Sequence, residues 1–194
     1  MFSWEEIGRK NPRLRGYDYA KPGTYFITIC TWENREIFGD IRDGIMILNP
    51  LGIIARDDWI ALPSRRKNIA LDEYVVMPNH FHAIIRILDT EPGDASIAPT
   101  PHTNVRATLA SPPRSRKSKL HPNSLGSIIG GFKSGVTRQI RKITQRSTLP
   151  IWHWRYYDSI VKDDDSLENI RQYIRNNPKK WHQDRNTTKI GIPE

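Results

Sequence analysis

The chain has 194 residues, with 30 Lys+Arg against 21 Asp+Glu, a formal net charge of +9 and an isoelectric point near 9.8. That length predicts one domain able to bury its own core, and the lone cysteine, Cys30, excludes an internal disulfide framework and multi-cysteine zinc sites. The apolar runs at 25–29 and 83–88 fall far short of the roughly 20 residues of a membrane-spanning helix, and Glu5 and Glu6 stand where a signal peptide would carry bases, so the expectation is a cytoplasmic protein with no membrane partner.

In chain order, residues 1–21 are polar and basic, with Asn11-Pro12, Arg13 and Arg15, and read as a wrapping arm. Residues 25–31 are β-branched and aromatic after Pro22-Gly23, which predicts a strand. Two short apolar pieces around Gly39-Asp40 and Asp43-Gly44 predict a hairpin or loop excursion over 37–48. After Asn49-Pro50, the residues Leu51, Ile54, Ala55, Trp59 and Leu62 recur at helical spacing, and Pro63 is the expected stop. Residues 71–77 and 80–88 are two more strands, and the short Pro78-Asn79 join makes them an antiparallel hairpin.

From 89 to 123 the composition changes: six of the chain's 14 prolines fall there among Ser, Thr and bases, which predicts a flexible basic insert. Beyond it, Leu125, Ile128, Ile129, Phe132, Val136, Ile140 and Ile143 form one stripe of a helix of about twenty residues, with Ser124 as N-cap. Gly130, Gly131 and Gly135 within it suggest close packing or approach to a ligand. Residues 151–161 read as a last strand rich in aromatics, and a final helix opens on the acids at 163–165, buries Leu167, Ile170 and Ile174, and is closed by Pro178. The order predicts an α+β fold: a ferredoxin-like βαββαβ antiparallel sheet with helices on one face, plus a C-terminal helix, in a single domain spanning 1–194.

The charge is unevenly placed. No Asp or Glu occurs between Asp94 and Asp158, while that stretch carries eleven Lys and Arg, more than the whole net excess. An acid-free basic segment of this length is the electrostatic footprint of a nucleic-acid binder, with a solvated surface as the bland alternative.

Two features bear on chemistry. In His80-Phe81-His82 the strand alternation puts both imidazoles on one face, a pair of ligands for a divalent cation, although a short His-x-His pair also arises by chance. Tyr173 and Asn177, four apart, share one face of the closing helix. Asn177 offers a neutral oxygen as a third ligand, and Tyr173 a phenol able to attack a phosphodiester. The residues alone favour a structural role for both, as a core-edge aromatic and a helix C-cap before Pro178.

The chain resembles the REP-associated tyrosine transposases, relatives of the single-tyrosine HUH transposases (His, hydrophobic, His) of single-stranded DNA. The resemblance rests on Met77-Pro78-Asn79-His80-Phe81-His82 and Tyr173-Ile174-Arg175-Asn176-Asn177-Pro178, with Asn11-Pro12-Arg13-Leu14-Arg15-Gly16-Tyr17, Ser124-Leu125-Gly126-Ser127 and Trp152-His153-Trp154-Arg155-Tyr156-Tyr157 in the same order. It covers nearly the whole chain apart from the insert. It implies a metal-dependent endonuclease and strand transferase acting on palindromic hairpin DNA through a covalent 5′-phosphotyrosine link. His80, His82 and Asn177 would hold Mg²⁺ or Mn²⁺, and Tyr173 would be the nucleophile, with Tyr156 and Tyr157 as rivals. Arg13, Arg15, Lys133, Arg138, Arg141 and Arg155 are the candidate DNA contacts, and the repeat-associated branch implies a monomer rather than a dimer. The competing reading is a non-catalytic nucleic-acid-binding regulator on the same fold; a hydrolase of small phosphoesters would leave the basic stretch without purpose.

Overall fold

Strand β1 (Gly23–Cys30) is buried on both of its faces, and this sets the layer order of the molecule. Tyr25, Ile27 and Ile29 point into one core and Phe26 into another, as the two-residue period of a strand requires. In a computed structural model describing residues 17–89 and 121–185, β1 lies between β5 (His80–Ile87) and β6 (Tyr157–Val161), and β4 (Ile69–Val76) completes a sheet of order β4-β5-β1-β6. Every neighbouring pair is antiparallel, so the α+β class expected from the sequence holds. A separate two-stranded sheet pairs β2 (Gly39–Arg42) with β3 (Ile45–Leu48). The arm residues Arg13 and Arg15, and the insert from 90 to 120, lie outside the described residues.

Helices α1 (Pro50–Ile60) and α3 (Leu125–Thr144) cover one face. The Asn49 side chain caps α1 by accepting from the Leu51 and Gly52 amides at 2.9 and 3.0 Å, and Pro50 supplies a preset φ in the first turn. Ser124 caps α3 through Ser127 N–H at 3.3 Å. The core between these helices and the sheet is built on Trp59, Phe81, Phe132 and Trp152, whose rings contact one another at centroid distances of 5.0 to 5.8 Å. Of Gly130, Gly131 and Gly135 in α3, Gly135 meets the expectation of close packing: a Cβ there would stand 3.0 Å from the Asp58 carboxylate of α1. Gly130 faces open space.

Three expectations are corrected. Pro63 does not end a helix but sits in the first turn of a short one, α2 (Leu62–Arg65), where a missing N–H is harmless. The last strand covers only Tyr157–Val161. Before it, the chain runs as a strap joined by one bridge, Thr31 to Trp152, because the Lys133 ammonium draws the carbonyls of His153, Trp154 and Arg155 toward α3 at 2.7, 3.3 and 3.4 Å. Tyr156 thus packs on the first core, whereas Tyr157 is in register with Thr28 on the other face. Finally, Pro178 does not close the last helix: α4 (Asp164–Arg185) passes through it, and Trp181, one turn further, is buried at 6 % exposure.

Helix α4 covers the second face, where Ile174 meets Phe26 and Ile84. A bulge in β4 docks it electrostatically. The register slips between Leu71 and Tyr74, so Asp72 and Glu73 together oppose one residue of β5. Asp72 receives both the Nε and Nη2 of Arg171 at 2.9 and 2.7 Å, and Nη2 of Arg86 at 2.6 Å. The Arg171 guanidinium holds the Asp72 carboxyl well below the usual carboxylate range. Glu73 pairs with Arg175 at 2.6 Å in a more exposed setting. We expect Asp72→Ala to lower unfolding free energy by about 2 kcal/mol in urea titrations near neutral pH, since it strands two arginines. Glu73→Ala should cost much less. With a folded-state pKa below that of the unfolded chain, the Asp72 contribution is complete above about pH 4 and is lost as pH falls further.

Candidate active site on the α4 face of the sheet

The alternation of β5 sends Phe81, Ala83, Ile85 and Ile87 into the first core and turns His80 and His82 toward α4. The two imidazole rings lie 4.5 Å apart between centroids, with planes inclined at 66°. Each is fixed through its Nδ1. His82 Nδ1 bonds to Thr28 Oγ1 at 2.8 Å, its register partner on β1. His80 Nδ1 bonds to Asn79 Oδ1 at 2.7 Å. An amide oxygen only accepts, so the His80 proton is assigned to Nδ1 and the Nε2 lone pair is left for another group.

From above, α4 contributes Tyr173 and Asn177. The Tyr173 Oη lies 3.2 Å from His82 Nε2, and the phenol ring meets Phe26 edge-on at 6.2 Å. Phe26 in turn stacks on His82 at 5.4 Å, so the nucleophile candidate and the ligand candidate share one aromatic support. Asn177 is buried at 1 % exposure. Because the helix continues well past it, Asn177 is not a C-cap, and that alternative falls away. Trp181 completes the enclosure, 6.0 Å from the His80 ring.

Burial pushes the His80 imidazole down to about 4; the nearby Asn177 carboxamide partly opposes this without meeting hydrogen-bond geometry. Burial, together with the neighbouring His80, holds His82 well below its ordinary value. Both rings are therefore neutral near pH 7, the state in which imidazole ligates metals. Among the described residues no group of three His, Cys, Asp or Glu side chains forms a metal cage. A mixed set suits a cation: His80 Nε2 and Asn177 Oδ1 are buried polar atoms without a hydrogen-bond partner, and the His82 ring lies 4.5 Å from that of His80. Orphaned buried acceptors are costly, and a cation would satisfy both.

The structure thus brings together His80, His82, Tyr173 and Asn177. It separates from them the described basic candidates Lys133, Arg138, Arg141 and Arg155, which belong to α3 and the strap. Lys133 is engaged with three strap carbonyls and Arg141 Nε with the Leu149 carbonyl at 3.0 Å. Sequence reading missed Thr28, Asn79, Phe26 and Trp181. Asn79 could have been found from its place beside His80, whereas Thr28 is recognisable only once the β1–β5 register is known.

No family model matches the chain. An uncharacterized protein of Haemophilus influenzae is 36% identical over 176 residues, which span 91% of this chain and 91% of that protein. Among solved structures, the chain resembles a REP-associated tyrosine transposase bound to a REP hairpin, with a TM-score of 0.54 and 18% identity over 84% of this chain and 71% of that one. The second likeness is one of fold.

The site also predicts a pH response. With His80 near 4 when folded and close to 6.5 when unfolded, the unfolded chain takes up protons between these values that the folded chain does not. In buffer with a chelator, the urea midpoint should fall as pH drops from about 7 toward 4. The His80→Gln protein should show a shallower decline over the same window.

Proposed function

Since the chain belongs to the same family as the Haemophilus influenzae protein, and has the fold of a REP-associated tyrosine transposase, we propose that it cleaves and rejoins single-stranded hairpin DNA, as a transposase-type strand transferase, with Tyr173 as nucleophile. The observation that carries this reading is the Tyr173 hydroxyl at 3.2 Å from His82 Nε2, next to two buried acceptors that lack partners.

In the proposed step the Tyr173 oxygen forms a bond to phosphorus and the bond from phosphorus to the 3′-oxygen breaks. The phenol gives up its proton and the departing 3′-oxygen gains one, leaving a 5′-phosphotyrosine and a free 3′-hydroxyl whose attack reverses the step. A divalent cation, Mg²⁺ or Mn²⁺, held by His80, His82 and Asn177 would polarise the phosphate, and this neutral ligand set would leave its charge available to the reacting oxygens. Thr28 and Asn79 hold the two imidazoles in one orientation, and Phe26 supports both His82 and Tyr173. His82 and the Nε2 atom of His80 are kept from bulk water, and Trp181 flanks the His80 ring. The rivals are less suited. Tyr156 packs on the first core, and Tyr157 stands beyond Thr28, one strand further from His82.

The test is a denaturation-resistant protein–DNA adduct formed on hairpin oligonucleotides with single-stranded flanks in Mn²⁺. The adduct should vanish in Tyr173→Phe and in chelator. In His80→Ala or His82→Ala its rate should fall to about a hundredth or less. An adduct surviving in Tyr173→Phe would move the nucleophile elsewhere. Salt-dependent binding with no adduct at any metal concentration would make the protein a non-catalytic binder.

A further inference from the structure

The sheet face opposite the histidines carries a groove that the proposed chemistry does not use. It is open, about 500 Å³ in volume, and runs between α3 and the strap. Lys133, Arg138 and Arg141 of α3 line it together with Trp152 and Trp154 of the strap and with Trp32. No Asp or Glu lines it.

Its features suit a negatively charged ligand with a flat ring. Among the described residues, the ion pairs found do not involve Arg138, Arg141 or Arg155. Trp154 is 68 % exposed, an arrangement that core packing does not account for, whereas Trp59 and Trp152 are buried. The Arg155 guanidinium lies 4.1 Å from the centroid of the Trp154 ring, and the cation–π contact presents the pair as a plate. The plate is held in place, because Lys133 binds the carbonyls of residues 153 to 155 and the His153 N–H donates to the Cys30 carbonyl at 2.9 Å. One lining residue, Trp32, connects the groove along the backbone to the histidine strand. Thr31, which follows Cys30, donates its N–H to the Asn79 carbonyl at 2.9 Å, and Asn79 holds His80.

We propose that this groove is a second DNA site, which holds an unpaired segment of single strand by backbone charge and base stacking without reading its sequence. Trp154 and Arg155 stack on one base, and Arg138 and Arg141 take the neighbouring phosphates. Because the groove and the histidines share one end of β1, the strand held here is led around that end toward Tyr173. The assignment of DNA as ligand rests on the function proposed above; the groove itself is tested without any cleavage step.

The experiment measures fluorescence anisotropy of a short 5′-fluorescein oligothymidylate with the full chain carrying Tyr173→Phe, in chelator. Trp154→Ala should weaken binding about tenfold and Trp154→Phe should retain most of it. Arg138→Ala should lower the dependence of log affinity on log salt by about 0.7. Both side chains are exposed, so these variants keep the fold, which circular dichroism verifies. Unchanged affinity in Trp154→Ala and in Arg138→Glu would overturn the proposal. So would a duplex of equal length binding as tightly as the single strand. Absence of an adduct in the unmutated protein leaves this readout intact, so failure of the chemistry and failure of the groove are told apart.

Discussion

A helix must lie across a sheet face that carries two imidazoles where more isoleucines would otherwise stand. The first core joins two helices to the sheet through a large set of buried aliphatic and aromatic side chains. The second has three buried members, Phe26, Ile84 and Ile174, with partly buried neighbours, and offers α4 far less apolar area. The bulge in β4 supplies what is missing. By placing Asp72 and Glu73 side by side opposite one residue of β5, it aims two carboxylates at Arg171 and Arg175 on the helix that bears Tyr173 and Asn177. The docking is charged because the face was given over to polar chemistry.

That choice carries a local cost. His80 Nε2 and Asn177 Oδ1 are buried without partners, and two neutral imidazoles are kept from protonation by their surroundings. Such groups are tolerated where the rest of the fold over-determines their positions. Here the support is redundant: Thr28 and Asn79 fix the rings from below, and Phe26 and Trp181 flank them. On the function proposed above, a cation held by these residues would satisfy both atoms.

Much of this was legible in the sequence, and the parts that were not share a cause. The facing of His80 and His82 follows from strand alternation, and the shared face of Tyr173 and Asn177 from helical spacing; both are local rules. The strap before β6 was misread as strand because its aromatics and β-branched residues satisfy local propensity, while the Lys133 contacts that pull it away come from a distant helix. Pro178 was misread as a terminus for the same reason, since burial of Trp181 beyond it outweighs one missing donor. Asp72 and Glu73 look like ordinary surface acids until the bulge is seen. The likeness to a known family singled out four residues that the fold brings together, but was silent on their supports.

The placement of Tyr173 and Asn177 four residues apart on one rod has a mechanical consequence. Any tilt or sliding of α4 displaces the Tyr173 hydroxyl and the Asn177 carboxamide in concert, so the cluster cannot lose one while keeping the other. Assembly becomes a single event with the helix as its lever, and the two arginines at the bulge are the fulcrum. On the function proposed above, a motion of the helix that exposes Tyr173 would, by the same rigid connection, draw Asn177 away from the two histidines.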